Sequence, residues 1–159
     1  MFREMRRNKQ IMTESEFEKI LKTATHGTLS LQGDNGYPYC VPLSFVYDNN
    51  KIYFHCAVEG YKNDCIKSNN KACFCVVAQD DIIPPKFTTA YKSVIVFGEL
   101  RFLENTKEKT NALLLLAEKY CPKETKESTS AEIDGSINRT AVLELTCRHI
   151  SGKKAKELI

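Results

Sequence analysis

The chain has 159 residues, a formal net charge of +3, and a composition that is 42% hydrophobic and 27% charged. That length suits one domain able to bury roughly two thirds of its surface on folding, in an ordinary globular composition. The small charge and the lack of a dense Lys/Arg face exclude a nucleic-acid reader, and no apolar run, the longest being Ala112 to Ala117, approaches the roughly 18 residues of a membrane span. The charged N-terminus, with Arg6 and Arg7, precedes no apolar segment, so no secretory signal is read there. Seven cysteines are then expected as reduced thiols in a cytoplasm.

Thr13-Glu14-Ser15-Glu16 is a capping box, with Thr13 as N-cap and Glu16 at N3. Phe17, Ile20, Leu21 and Ala24 follow at helical spacing and predict a helix over 14–25. His26, beside Gly27, is expected at the end of that helix, interacting with its dipole. A strand follows over 28–31, then a turn at Asp34-Asn35-Gly36 in which Gly36 takes positive φ. Residues 37–47 form a long β-type run. Its Pro38 and Pro42 cannot donate to a ladder, which puts the strand at an edge, bulged or distorted. Asp48-Asn49-Asn50 is a second turn, 52–57 a strand, 60–69 a short helix, and 72–78 and 94–103 further strands. The stretch between those two, Asp80 to Ser93 with adjacent Pro84 and Pro85, is expected as a loop. Asn105 caps a helix that runs to Tyr120 and is stopped by Pro122. Residues 123–139 are polar and poorly patterned, and 142–146 is a last strand extended toward Ile150.

The early strands are joined by short gaps, which demand antiparallel hairpins in succession. The expected architecture is mainly β: a small, closed or partly closed antiparallel barrel with peripheral helices, one domain over 1–159. There is no G-x-G-x-x-G, Walker loop, H-E-x-x-H or G-x-S-x-G, so a Rossmann dinucleotide site is not expected. Cys73-Phe74-Cys75 places two thiols on one face of a strand. Zinc would need further ligands such as His55 and Cys56, and the usual C-x2-C spacing is missing; buried structural cysteine is the reading, with no metal.

The most informative stretch is 53–62. Tyr53 and Phe54 close a strand, Gly60 frees the backbone, and Lys62 puts a positive charge where a helix begins. Backbone N–H groups and the positive end of a helix dipole suit a phosphate there. Taken alone, the same residues describe a plain helix start with a solvated lysine.

Five segments recur together in order: Met5-Arg6-Arg7, Gly36 to Phe45, Ile52 to Lys62, Tyr91 to Gly98 and His149 to Lys153. From Arg6 to Lys154 the chain resembles the 5-nitroimidazole-resistance (Nim) branch of the pyridoxamine-5′-phosphate-oxidase-like flavoproteins. The resemblance implies an FMN-binding split β-barrel working as a homodimer with flavins at the subunit interface. It implies that Val41, Pro42, Leu43 and Ser44 line the isoalloxazine, and that His55, Cys56 and Ala57 lie near the ribityl chain and phosphate. Gly60 and Lys62 would contact the phosphate, Ser93 and Val94 the flavin or its phosphate, and His149 the ring edge. The chain departs from that pattern at Tyr61, where related proteins often place a basic residue, and at Cys56, where a small or hydroxyl residue is common.

The implied activity is an oxidoreductase passing electrons from NAD(P)H through FMN to a small acceptor, a nitro-aromatic compound for this branch. His149 or His55 is the candidate proton donor, with hydrogen bonding to cofactor or backbone as the plainer role for each. The alternative is a non-enzymatic flavin- or haem-binding protein of the same barrel superfamily. Direct pyridoxamine-phosphate oxidation ranks last, because the basic residues for the substrate phosphate have no match in 123–159.

Overall fold

A computed structural model describes residues 1–159. Helix α1 (Glu14–Thr23) opens with the expected box: Thr13 N–H donates to Glu16 Oε2 (2.9 Å) and Glu16 N–H to Thr13 Oγ1 (3.4 Å). It ends sooner than expected. Ala24 is already extended (φ −66°, ψ 140°), and His26 begins strand β1 (His26–Gln32), so His26 closes no helix.

The long run 37–47 divides into β2 (Pro38–Ser44) and β3 (Val46–Asp48), followed by β4 (Lys51–Ala57), helix α2 (Tyr61–Ser68), β5 (Lys71–Ile83) and β6 (Thr88–Phe102). Helices α3 (Thr106–Tyr120) and α4 (Lys126–Ser136) precede β7 (Thr140–Lys154). All pairings are antiparallel, in the order β2-β1-β5-β6-β7-β4-β3. β1–β2 and β3–β4 are hairpins, but β2 to β3 is not. Those two strands lie at opposite edges of the sheet, yet only Phe45 separates them in the chain. The sheet must therefore curl until its edges approach each other, a barrel left split between β2 and β3. The proline-bearing strand is at an edge, as its missing donors require.

Inside the curl, Phe74 is fully buried with Phe45 and Phe54 edge-on at 4.8 and 5.1 Å between centroids. Gly27 has no room for a side chain, since a Cβ would collide with the Phe74 ring. The twofold alternation that sends Ala72, Phe74 and Val76 inward turns Cys73 and Cys75 outward. These two thiols are thus half-buried on the outer face, not in the core as expected.

Two segments differ from expectation. Most of 80–93 is not a loop: β5 and β6 stay paired out to Ile83–Thr88, and Pro84 and Pro85 occupy the tip, where no ladder donor is needed. The tip turns through Phe87 at φ 47°. The polar stretch 123–139 contains α4, capped by Thr125, whose Oγ1 accepts from Ser128 N–H (3.1 Å). Only Ile133 of α4 is buried, too little apolar surface to leave a periodic pattern.

On the outer side of β7, Glu144 is 3% exposed and accepts from Arg101 Nε (2.9 Å), Arg101 Nη2 (3.1 Å) and Lys51 Nζ (3.0 Å). Arg101 continues to Glu108 on α3 (2.8 Å), joining helix to sheet. Burial raises the Glu144 pKa, but the bonds from Arg101 and Lys51 outweigh it and hold the carboxyl below its ordinary 4.5. A depressed carboxylate stabilises the fold fully above its unfolded-state value and loses that contribution as pH falls through the folded one. Glu144→Gln is therefore expected to cost about 1–2 kcal/mol at pH 7, discounted for the half-exposed cations. The cost should shrink below pH 4.5 in urea titrations of both proteins; a pH-independent difference would remove the ion pair as its cause.

Candidate functional site

The turn leaving β4 is held by a residue that sequence reading passed over. Asn63 is 1% exposed; its Nδ2 donates to Ala57 O (2.9 Å), its backbone N–H to Gly60 O (2.9 Å), and its Oδ1 accepts from Cys56 Sγ (3.6 Å). The side chain staples both sides of the turn beneath α2. Gly60 is the N-cap at φ 137°, a conformation L side chains rarely adopt, and it supplies no side-chain cap. The Tyr61 and Lys62 N–H groups at the head of the helix have no intrahelical acceptor. Lys62, half-buried, stands beside them. Free donors, a dipole end and a lysine thus share the first turn of α2.

Tyr61 explains its own departure from the basic residue seen in related proteins. Its Oη donates to Asp34 Oδ1 (2.7 Å) and accepts from Asp34 N–H (3.1 Å), and its ring meets Tyr39 edge-on at 4.9 Å. The bond to Asp34 raises the phenol pKa to about 12. Tyr61 thus ties the head of α2 to β2 and the β1–β2 turn, setting the Gly60–Lys62 turn against the edge strand.

The other expected site residues fall into separate groups. Pro42 and Ser44 face outward on β2, whereas Val41 and Leu43 face inward and pack partly against the core. Val94 is fully buried, so only its backbone is available to a ligand. Ser93 and His149 lie on the outer sheet face, where His149 pairs with Phe97 across β6–β7 and stacks on Phe2 at 4.8 Å. This face also carries Val77, Ile95 and Phe97, 60%, 37% and 38% exposed. Directly opposed residues share a face, so Cys40, Ser30, Cys73, Phe97 and His149 form one row and Pro42, Thr28, Cys75, Ile95 and Ser151 the next.

His55 lies elsewhere. It pairs with Val142 of β7, seven residues before His149, or roughly 20 Å along the strand. With Ser44 it opens into a cleft of about 730 Å³ between β4, α3 and α4. Leu113, Leu116, Ala117 and Ile133 supply apolar walls, and Tyr120 closes one end. A clamp fixes that end. Tyr120 Oη accepts from Phe45 N–H (2.9 Å) and meets the Phe45 and Thr25 carbonyls, while Lys119 Nζ donates to Ala24 O (2.6 Å) and Phe45 O (2.9 Å) over the Phe45 ring. Burial lowers the Lys119 pKa to about 8. The clamp seizes the residue where the chain crosses from one sheet edge to the other, next to Ser44.

A family model for pyridoxamine 5′-phosphate oxidase matches residues 13–154, nearly the whole chain. The chain belongs to the pyridoxamine 5′-phosphate oxidase family. Among solved structures, this family member is similar to a candidate 5-nitroimidazole antibiotic resistance protein from Bacteroides thetaiotaomicron: 22% identity, TM-score 0.78, 91% of this chain and 86% of that one. It is also similar to the conserved hypothetical protein Rv2991 of Mycobacterium tuberculosis, with 16% identity, TM-score 0.84 and coverage of 98% and 92%. A third is an FAD and heme binding protein from Mycobacterium smegmatis, with 19% identity, TM-score 0.74 and coverage of 93% and 74%. No curated protein matches the chain. At these identities the structural likeness establishes the split-barrel fold, and the family membership rests on the sequence match.

Local signals sufficed to point to Gly60 and Lys62, which stand at the head of α2. Asn63, Lys119, Tyr120 and the α4 wall of the cleft act through residues distant in sequence. Their only earlier trace is Asn63 at the third position of a helix that lacks a side-chain cap.

Proposed function

We propose that this family member binds FMN and acts as an oxidoreductase on a small acceptor. The supporting observation is the Gly60–Lys62 turn: unclaimed N–H donors and Lys62 fit a phosphate, and Tyr61 holds that turn against the β2 edge. Val41 to Ser44 would line the ring, with Cys56 and Ala57 along the chain that leads to the phosphate. When bound, the flavin would supply hydride acceptance from NAD(P)H and electron delivery to a second compound, a nitro-aromatic one in this reading. The chain's own part is to hold the phosphate, orient the ring, and exclude water with the apolar walls of the His55 cleft. His55, exposed and lining that cleft, would hand over a proton in this reading.

We assign the exposed Val77, Ile95 and Phe97 face to a second copy of the chain, consistent with a homodimer. His149 lies on this same face, so in such a dimer it would approach the site of the partner. No helix is long and apolar enough to cross a membrane, and the reading places the protein in the cytoplasm.

The visible spectrum of the purified protein, with and without added FMN, tests the cofactor. Flavin bands that bleach anaerobically with NADH or NADPH and return with an acceptor are expected. A protein that stays colourless after reconstitution overturns the reading, and a Soret band replaces flavin with haem.

A further inference from the structure

The cleft that holds His55 has a charge pattern that the flavin reading does not use. Its charged side chains, beside His55, are Glu124, Glu132 and Arg139. Neither glutamate belongs to an ion pair. Glu124 accepts only from Ser128 Oγ (3.3 Å), and Glu132 is exposed. Glu124 lies in the α3–α4 connection and Glu132 on α4, whereas His55 comes from β4. Leu113, Leu116, Ala117 and Ile133 form the apolar part of the wall, with hydroxyls from Ser44, Ser128, Thr129, Ser136 and Thr140 between them; those of Ser128, Ser136 and Thr140 already donate within the protein. A volume of about 730 Å³ is that of a pocket for a compact organic molecule.

We infer that this cleft is the seat of the second substrate, and that Glu124 and Glu132 make it select uncharged or cationic planar aromatic compounds over anionic ones. The inference rests on the flavin reading only for what the occupant reacts with; its binding and its charge selection follow from the cleft. A flat ring covers the Leu113, Leu116 and Ile133 wall, while the Ser44 hydroxyl and Arg139 donate to a polar oxygen on it. An added carboxylate meets two unpaired negative charges against one positive one. The same field disfavours the pyrophosphate of a dinucleotide, so NAD(P)H would approach with its nicotinamide end alone or from the open side.

The test uses two probes of one shape, 4-nitrobenzamide and 4-nitrobenzoate. Direct binding to the full chain is read by saturation-transfer NMR at low salt, and reoxidation of the dithionite-reduced, FMN-loaded protein is read in parallel. The wild-type protein should favour the amide. Glu124→Gln with Glu132→Gln should cut that preference about fivefold, and Glu132→Lys, which changes the cleft charge by the same amount, should cut it comparably, as partly screened charges of this kind imply. FMN uptake should be the same in all three proteins. A preference unmoved by these variants, or no transfer to either probe, overturns the assignment. Failure to take up FMN sinks the cofactor reading instead, and the NMR measurement on the apoprotein still decides the cleft.

Discussion

Lys62→Ala is expected to weaken FMN binding by about ten- to a hundredfold, corresponding to the loss of one charge-assisted contact of roughly 1.5–3 kcal/mol. The residue sits in the first turn of α2, where Gly60 offers no cap and Asn63 holds the turn in place. Removing the ammonium leaves the backbone donors and the dipole, so binding should weaken and not vanish. Tyr61 cannot compensate, because its hydroxyl is bound to Asp34. Quenching of flavin fluorescence during titration gives the affinity, and circular dichroism confirms that the half-buried surface position leaves the fold intact. An affinity equal to that of the wild type would place the phosphate somewhere else.

The largest stability effect is expected at Phe74→Ala, about 3–5 kcal/mol from the lost burial and the cavity left behind. Phe74 is fully buried and contacts rings contributed by distant parts of the chain: Phe45 at the crossing between the sheet edges and Phe54 on β4. Gly27 lies against the same ring and cannot refill the space. Domains of this size have only about 5–15 kcal/mol in total, so the variant should unfold at much lower urea, with little change in the steepness of the transition. A loss below about 1 kcal/mol would mean that the three-ring centre collapses to fill the gap.

These two sites differ in how visible they were beforehand. Lys62 stands in a local pattern of strand, glycine turn, lysine and helix, which reads directly from the chain. So do the Thr13 box, the Asn105 cap, whose Oδ1 accepts from Lys107 and Glu108 N–H, and the edge position of the proline strand. Each depends on neighbours within a few residues. The meeting of Phe45, Phe54 and Phe74 does not. It requires that β4 pair with β7 and that β1 pair with β5, which no hydrophobic periodicity specifies. The hairpin 80–93 was misread because Pro84-Pro85 signals a break without saying how long the flanking strands are. Helix α4 left no stripe because one residue anchors it. Cys73 and Cys75 were placed inside on residue type, whereas the alternation of their strand turns them out.

From the sequence alone came the β-rich class, the family and a glycine turn leading into a helix at 58–62, because these depend on spacing, capping and backbone freedom over short range. That Ser44 and His55 share a cleft, while His149 lies roughly 20 Å away on the outer face, follows from the three-dimensional pairing of strands. Strand partners and register settle that division, since a side chain's face and neighbours follow from which strand lies beside it and not from its own segment.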